Sequence, residues 1–218
     1  MSRIAALFRL IKRKILPPST RLEGYEHPEL VDVIFRKTLA YSAPREEWPD
    51  VIGATTVLDF GGASGAHYKE ALHHTTDARW AVVETPAMVQ RAAEVATDRL
   101  RFFSSVADAA AWLGPVDLMH SSGALQFVPN PEKTVAELCG LGARRMHWRR
   151  LVLSKDATIR EMHESFLTDN GPGSIDNVQE KRVEYLRTAI PEHVFLEAHA
   201  ERYRLTARGE DWFRFTLR

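Results

Sequence analysis

Val57-Leu58-Asp59-Phe60-Gly61-Gly62-Ala63-Ser64-Gly65 decides the fold. Its first half is a short apolar run closed by an acid. Its second half is a glycine-rich loop, and residues 67–74 after it read as a helix. A glycine loop between a strand and a helix lets backbone approach a nucleotide-like ligand closely. The pattern then repeats. Arg79-Trp80-Ala81-Val82-Val83-Glu84 is a second apolar run ending in an acid, and 86–96 is a helix with Pro86 in its first turn. Strands at 100–103, 116–120 and 144–153 alternate with helices at 106–113 and 132–141. Alternation at this spacing predicts crossover units and a parallel sheet covered on both faces. Such sheets bind ligands beyond the carboxyl ends of their strands, near the point where strand order reverses. Asp59 and Glu84 both close their strands there.

The flanks read differently. Residues 169–174 are rich in Gly and Pro and read as a mobile loop, and 191–202 as a helix. Two late strands, 203–206 and 212–217, have no helix between them and predict an antiparallel hairpin at a sheet edge. Residues 1–50 read as an N-terminal helical extension over a main domain at 51–218. Its first part, 2–16, is a basic amphipathic helix: Arg3, Arg9, Lys12, Arg13 and Lys14 interleave with Ile4, Leu7, Phe8, Ile11 and Ile15, and no acid occurs before Glu23. Such a helix can lie on an anionic membrane surface or cap its own domain.

Composition narrows the classes. The chain has 218 residues, of which 44% are hydrophobic and 27% charged, as in ordinary globular domains. Lys+Arg and Asp+Glu both total 29, so a general nucleic-acid binder is not expected. Cys139 is the one cysteine, which excludes an intrachain disulfide and a cysteine metal cluster. No apolar run approaches the about 20 residues that span a bilayer. The expected location is cytoplasmic, with attachment to the inner membrane face through 2–16 as an option. No His, Asp or Glu spacing predicts a metal site.

The acid before the loop selects the ligand. A pyrophosphate at the loop would be repelled by Asp59, so the site calls for positive charge. S-adenosylmethionine carries an ammonium and a sulfonium and no phosphate. Glu84 suits ribose hydroxyls, because an ionised carboxylate only accepts hydrogen bonds.

Leu58-Asp59-Phe60-Gly61-Gly62-Ala63-Ser64-Gly65, with Trp80-Ala81-Val82-Val83-Glu84 and Ser121-Ser122-Gly123-Ala124-Leu125-Gln126-Phe127, resembles the class I, Rossmann-like S-adenosylmethionine-dependent methyltransferases. The nearest likeness is to a bacterial group linked to surface-polysaccharide gene clusters. The resemblance implies an α/β, doubly wound, mainly parallel seven-stranded sheet closed by the C-terminal hairpin over 55–218. It implies cofactor contacts at Asp59, Gly61, Gly62, Ala63, Gly65 and Glu84, adenine contacts at Ser104 and Ser105, and a place near the sulfonium for Ser121. The family's loop reads acid-x-Gly-x-Gly-x-Gly; here its middle glycine is Ala63, and the acid usual near Ser104 is absent.

The expected reaction is methylation of a hydroxyl on a small molecule or glycan. His120, at the end of the fourth strand, is the first candidate base, and His67 the second. Arg144, Arg145, Arg149 and Arg150 crowd the fifth strand and read as a solvated strand end, with contact to an acidic substrate as the alternative. Two rivals remain open. One is a methyltransferase-like binding module without turnover. The other is a nicotinamide-dependent oxidoreductase, against which Asp59 and the lack of a Tyr-x-x-x-Lys pair both count.

Overall fold

The computed structural model describes residues 21–218. The expected basic helix at 2–16 and its membrane contact lie outside the described residues. Within them no helix is long and apolar enough to cross a membrane.

The central sheet starts with β2 (Thr56–Phe60), β3 (Arg79–Val83) and β4 (Leu100–Phe103), laid down in one direction from β2. The chain then crosses to the other side of β2 for β5 (Leu118–Ser122) and β6 (Arg145–Arg149). These five strands are parallel. The hairpin of β9 (Tyr203–Arg208) and β10 (Phe213–Leu217) completes seven strands, with β10 inserted antiparallel between β6 and β9. This is the expected doubly wound sheet. Its order reverses between β2 and β5, which puts the glycine loop at the switch point.

Side chains alternate between two cores. Leu58, Ala81, Met119, Met146 and Trp148 point to one face and pack under Val106, Val135, Leu138 and Phe195. These belong to α4 (Val106–Leu113), α5 (Pro131–Gly140) and α6 (Glu192–Ala200). Val57, Trp80, Val82 and Leu118 point to the other face, against Trp48, Val51, Ala54 and Ala71. Ala71 ends α2 (Ala66–Ala71); α3 (Pro86–Ala92) opens with Pro86 behind the Thr85 cap, whose hydroxyl accepts from Met88 N–H.

A second sheet, absent from the sequence reading, stands beside the first. It is ordered β1 (Arg21–Glu23), β8 (Arg182–Ala189), β7 (Ile159–Phe166), with β1 parallel and β7 antiparallel to β8. The helix α1 (Pro28–Ala40) closes a third core against it through Leu30, Val31, Ile34, Met88, Leu167, Val183 and Tyr185. The buried ammonium of Lys37 ties α1 to the turn after β7, donating to the carbonyls of Thr168 and Asn170 at 2.7 Å each.

Two strand boundaries correct the sequence reading. The fourth strand of the core runs to Ser122 rather than ending at His120, so His120 lies in its middle. The fifth ends at Arg149 instead of running to residue 153, because Arg150 takes a left-handed backbone with φ 49°.

Candidate active site

The loop after β2 is shaped by what lies beneath and above it. A Cβ on Gly62 would fall 2.2 Å from Asp59 Oδ2, and one on Gly61 would fall 2.1 Å from the Cβ of Ala124. No other residue type fits either place without movement. Ala63 holds φ 49°, a conformation that costs an L-residue roughly 1–2 kcal/mol. Its N–H donates to Glu84 Oε1 at 2.9 Å, and Thr85 N–H donates to Glu84 Oε2 at 2.9 Å. Burial pushes the Glu84 carboxyl above its usual range, with these two N–H groups pulling the other way. Each of its oxygens keeps a second lone pair for a ligand hydroxyl.

Asp59 is fully buried and lies below this loop. Trp80 Nε1–H donates to its Oδ2 at 3.2 Å; His67 Nδ1 stands 3.0 Å from both oxygens, and His120 Nδ1 stands 3.0 Å from Oδ1. Burial alone would raise this carboxyl, but the two imidazoles override it and hold the group well below the usual carboxylate range. An ionised carboxylate can only accept, so both Nδ1 atoms carry hydrogen. Burial lowers the His67 pKa, yet Asp59 outweighs it and the net shift is upward. His120 goes the other way, pushed down to about 4 by burial despite its bond to Asp59. The two imidazoles on this carboxylate are thus shifted in opposite directions, His67 up and His120 down.

His120, the first candidate base, is enclosed rather than open to a ligand in this structure. Its ring is 0% exposed, and Trp48 covers it with ring centroids 4.8 Å apart. A cavity of about 220 Å³ on this face is lined by Trp48, His147 and Arg214, but not by His120. In register, Asp59, His120, His147 and Arg214 form a polar row across four strands. Asp50 bridges its far end, 3.0 Å from His147 Nδ1 and 2.9 Å from Arg214 Nη2. The three groups Asp59, His67 and His120 also offer ligand atoms within 4.8 Å of one another. The hydrogen-bonded arrangement accounts for that closeness.

Ser121, next along β5 from His120 and so on its opposite face, is buried and its Oγ has no partner among the described residues; the same holds for Ser64 Oγ and Gln126 Oε1. Ser105 caps α4, accepting from Asp108 N–H at 3.1 Å, and Ser104 is exposed just before it. Tyr25, Phe127 and Tyr185 pack as an aromatic cluster with centroids 4.6–5.2 Å apart, beside His163. The sequence did not single out Tyr25, Tyr185 or Trp48. They come from segments with no motif of their own, and the topology alone brings them near the site.

The donor set fits S-adenosylmethionine. Glu84 keeps acceptors for ribose hydroxyls, the two loop glycines open the backbone, and three buried polar atoms wait without partners among the described residues. Gly61, Gly62, Ala63 and Gly65 lie in the loop after β2, Ser104 and Ser105 follow β4, and Ser121 is the penultimate residue of β5, all towards the carboxyl ends of parallel strands.

No family model and no curated protein sequence matches the chain. Solved structures do match in fold. The chain is similar to DesVI of Streptomyces venezuelae at 13% identity and TM-score 0.51 over the whole of both chains. It is similar to SAM-bound CalS10, an amino pentose methyltransferase from Micromonospora echinaspora, at 16% identity and TM-score 0.50, over 97% of each chain. It is also similar to the sugar N-methyltransferase KedS8 from Streptoalloteichus sp. ATCC 53650, at 16% and 0.50, over 87% of each. At these identities the likeness is one of fold.

Proposed function

We propose that the protein is an S-adenosylmethionine-dependent methyltransferase acting on a small-molecule or glycan acceptor. The observation that carries this is the pair of strand-end acids around the loop. Glu84 reaches from β3 to the loop backbone with lone pairs to spare, and Asp59 props the loop from below. The named activities of the two similar sugar methyltransferases support the same reading. The bound cofactor would supply the electrophilic methyl group. The chain's own residues would orient it: Glu84 would hold the ribose hydroxyls, Ser104 and Ser105 would flank the adenine, and Gly61, Gly62, Ala63 and Gly65 would line its amino-acid portion. His67 and His120 would act through Asp59 as positioning residues, keeping the carboxylate ionised under Gly62.

Hydroxyl methylation needs a base, and the buried His120 does not reach the crevice. His163, half-buried beside Phe127 and Tyr185, would be the alternative imidazole. The seclusion of His120 favours a second reading, transfer to an amine, whose neutral form carries its own lone pair and needs no base in the attacking step.

Calorimetric titration with S-adenosylmethionine, S-adenosylhomocysteine and NADH tests the cofactor. The expected result is binding of the first two, weakened about 10–100-fold by Glu84→Ala through loss of charge-assisted hydrogen bonds. Binding of NADH alone would replace this reading with the oxidoreductase one. Binding without transfer to any hydroxyl or amino sugar would favour the silent module.

A further inference from the structure

Arg150 follows β6 with φ 49°, a backbone form that only a few per cent of non-glycine residues adopt. Finishing a strand does not require it. The strain is held by a set of contacts that fix the side chain in turn. Gln126 Nε2 donates to the Arg150 carbonyl at 3.1 Å. The guanidinium folds back over the end of β5, where Nε donates to Ser122 Oγ at 2.9 Å and Nη2 to the Ser122 carbonyl at 3.1 Å. Gly123 makes room for it: a Cβ there would lie 3.3 Å from both nitrogens. The remaining nitrogen, Nη1, has no partner among the described residues, and Arg150 is exposed. The charge is felt at both His67 and Tyr25, and Tyr25 also feels Glu84. Ala124, next to Gly123, stands against Gly61 of the loop whose Ala63 is held by Glu84, so the guanidinium is fixed beside the same glycine loop as that carboxylate.

We propose that Arg150 is the anion anchor of the crevice, its guanidinium taking carboxylate or phosphate oxygens of a bound ligand. The inference rests on the crevice being the cofactor and acceptor site. The anion has two possible sources, the amino-acid end of the methyl donor or a charged acceptor. A guanidinium already fixed on two of its N–H groups loses little further freedom when it binds an anion, which is the advantage of arginine over lysine here.

The test compares the wild type with Arg150→Gln and with Arg150→Gly, which relieves the backbone strain and guards against a folding defect. S-adenosylhomocysteine and 5′-methylthioadenosine, which lacks the amino-acid group, are titrated into each. Inorganic phosphate is then titrated into the S-adenosylhomocysteine complex. If the donor supplies the anion, both variants weaken S-adenosylhomocysteine about 10–100-fold and leave methylthioadenosine unchanged. If the acceptor supplies it, both nucleosides bind as in the wild type and phosphate binding is lost in the variants. Unchanged binding of all three probes in both variants overturns the proposal. A wild type that binds neither nucleoside sinks the methyltransferase reading separately. Phosphate titrated into the free proteins then decides for Arg150: loss in both variants upholds the anchor, and no difference overturns it.

Discussion

Gly62 sits where a methyl group has no room, because Asp59 has been drawn up under it by three N–H donors. Gly62→Ala must push Asp59 off at least one of those donors. Overpacking of this kind costs about 1–3 kcal/mol, and the expected readout is a lower melting temperature together with weaker S-adenosylhomocysteine binding. The neighbouring position runs the other way. Ala63→Gly removes the left-handed penalty but adds freedom to the unfolded chain. The two effects nearly offset, so the melt should move by less than about 1 kcal/mol in either direction. A large loss in Ala63→Gly would mean that the Ala63 methyl packs against something essential. At this scale the sequence was informative about acids and less so about bases. Asp59 and Glu84 could be placed because each closes an apolar run, and a strand end has a direction. His120 was misplaced by two residues, since Ser121 and Ser122 do not read as strand. With period-two alternation, its ring points to the face covered by Trp48.

Among the elements, the helix α1 and the small sheet depend on one buried cation. Lys37 is 1% exposed, and its ammonium satisfies two carbonyls in the turn at Thr168 and Asn170. Lys37→Met keeps the aliphatic stem but leaves both carbonyls unsatisfied, at about 1–3 kcal/mol each. Hydrogen exchange should then rise in α1 and in the turn after β7, while β2 and β5 stay protected. Equal acceleration everywhere would show that this layer and the central sheet unfold as one unit. The second sheet is also where the sequence was least legible. Its β7 strand, Ile159-Arg160-Glu161-Met162-His163-Glu164-Ser165-Phe166, mixes charge with apolar residues on both faces, and Met162 is 66% exposed. An edge strand with no buried face gives no alternation to read. The β8 strand did carry a signal, Val183 and Tyr185 buried between Arg182, Glu184 and Leu186, which the sequence reading passed over. The parallel strands were legible as short apolar runs alternating with helices, and the hairpin, whose β9 is largely exposed, as two strands with no helix between them.

For the molecule as a whole, buried histidines contribute to the response to acid. His199 is fully buried: its Nδ1–H donates to the Phe195 carbonyl at 2.7 Å, and its Nε2 accepts from Trp148 Nε1–H at 3.0 Å. Both nitrogens are thus used in the neutral form, and burial pushes the pKa down to about 4. His120 is lowered to about 4 as well, by burial outweighing Asp59. A histidine with a depressed folded pKa takes up its proton more readily when unfolded. Its contribution is complete above the unfolded value near 6.5 and is lost as the pH falls toward 4. For His199 this amounts to about 3 kcal/mol, or roughly 6–12 °C in a chain of this size. Asp59, whose pKa is lowered, loses its share only below the usual carboxylate range. His67, whose pKa is raised, contributes below 6.5 and loses its share as the pH rises through its folded value. Melting temperatures at pH 7, 5.5 and 4 should therefore fall steeply in the acid limb. In His199→Phe, where the new ring can stack on Phe215 as the imidazole does at 4.0 Å, that limb should become shallower. Parallel curves for wild type and variant would show that His199 is not held neutral in the folded protein, and the acid response would then have to arise from the Asp59 cluster and from the other carboxyls held below their usual range, Asp50 and Asp117 among them.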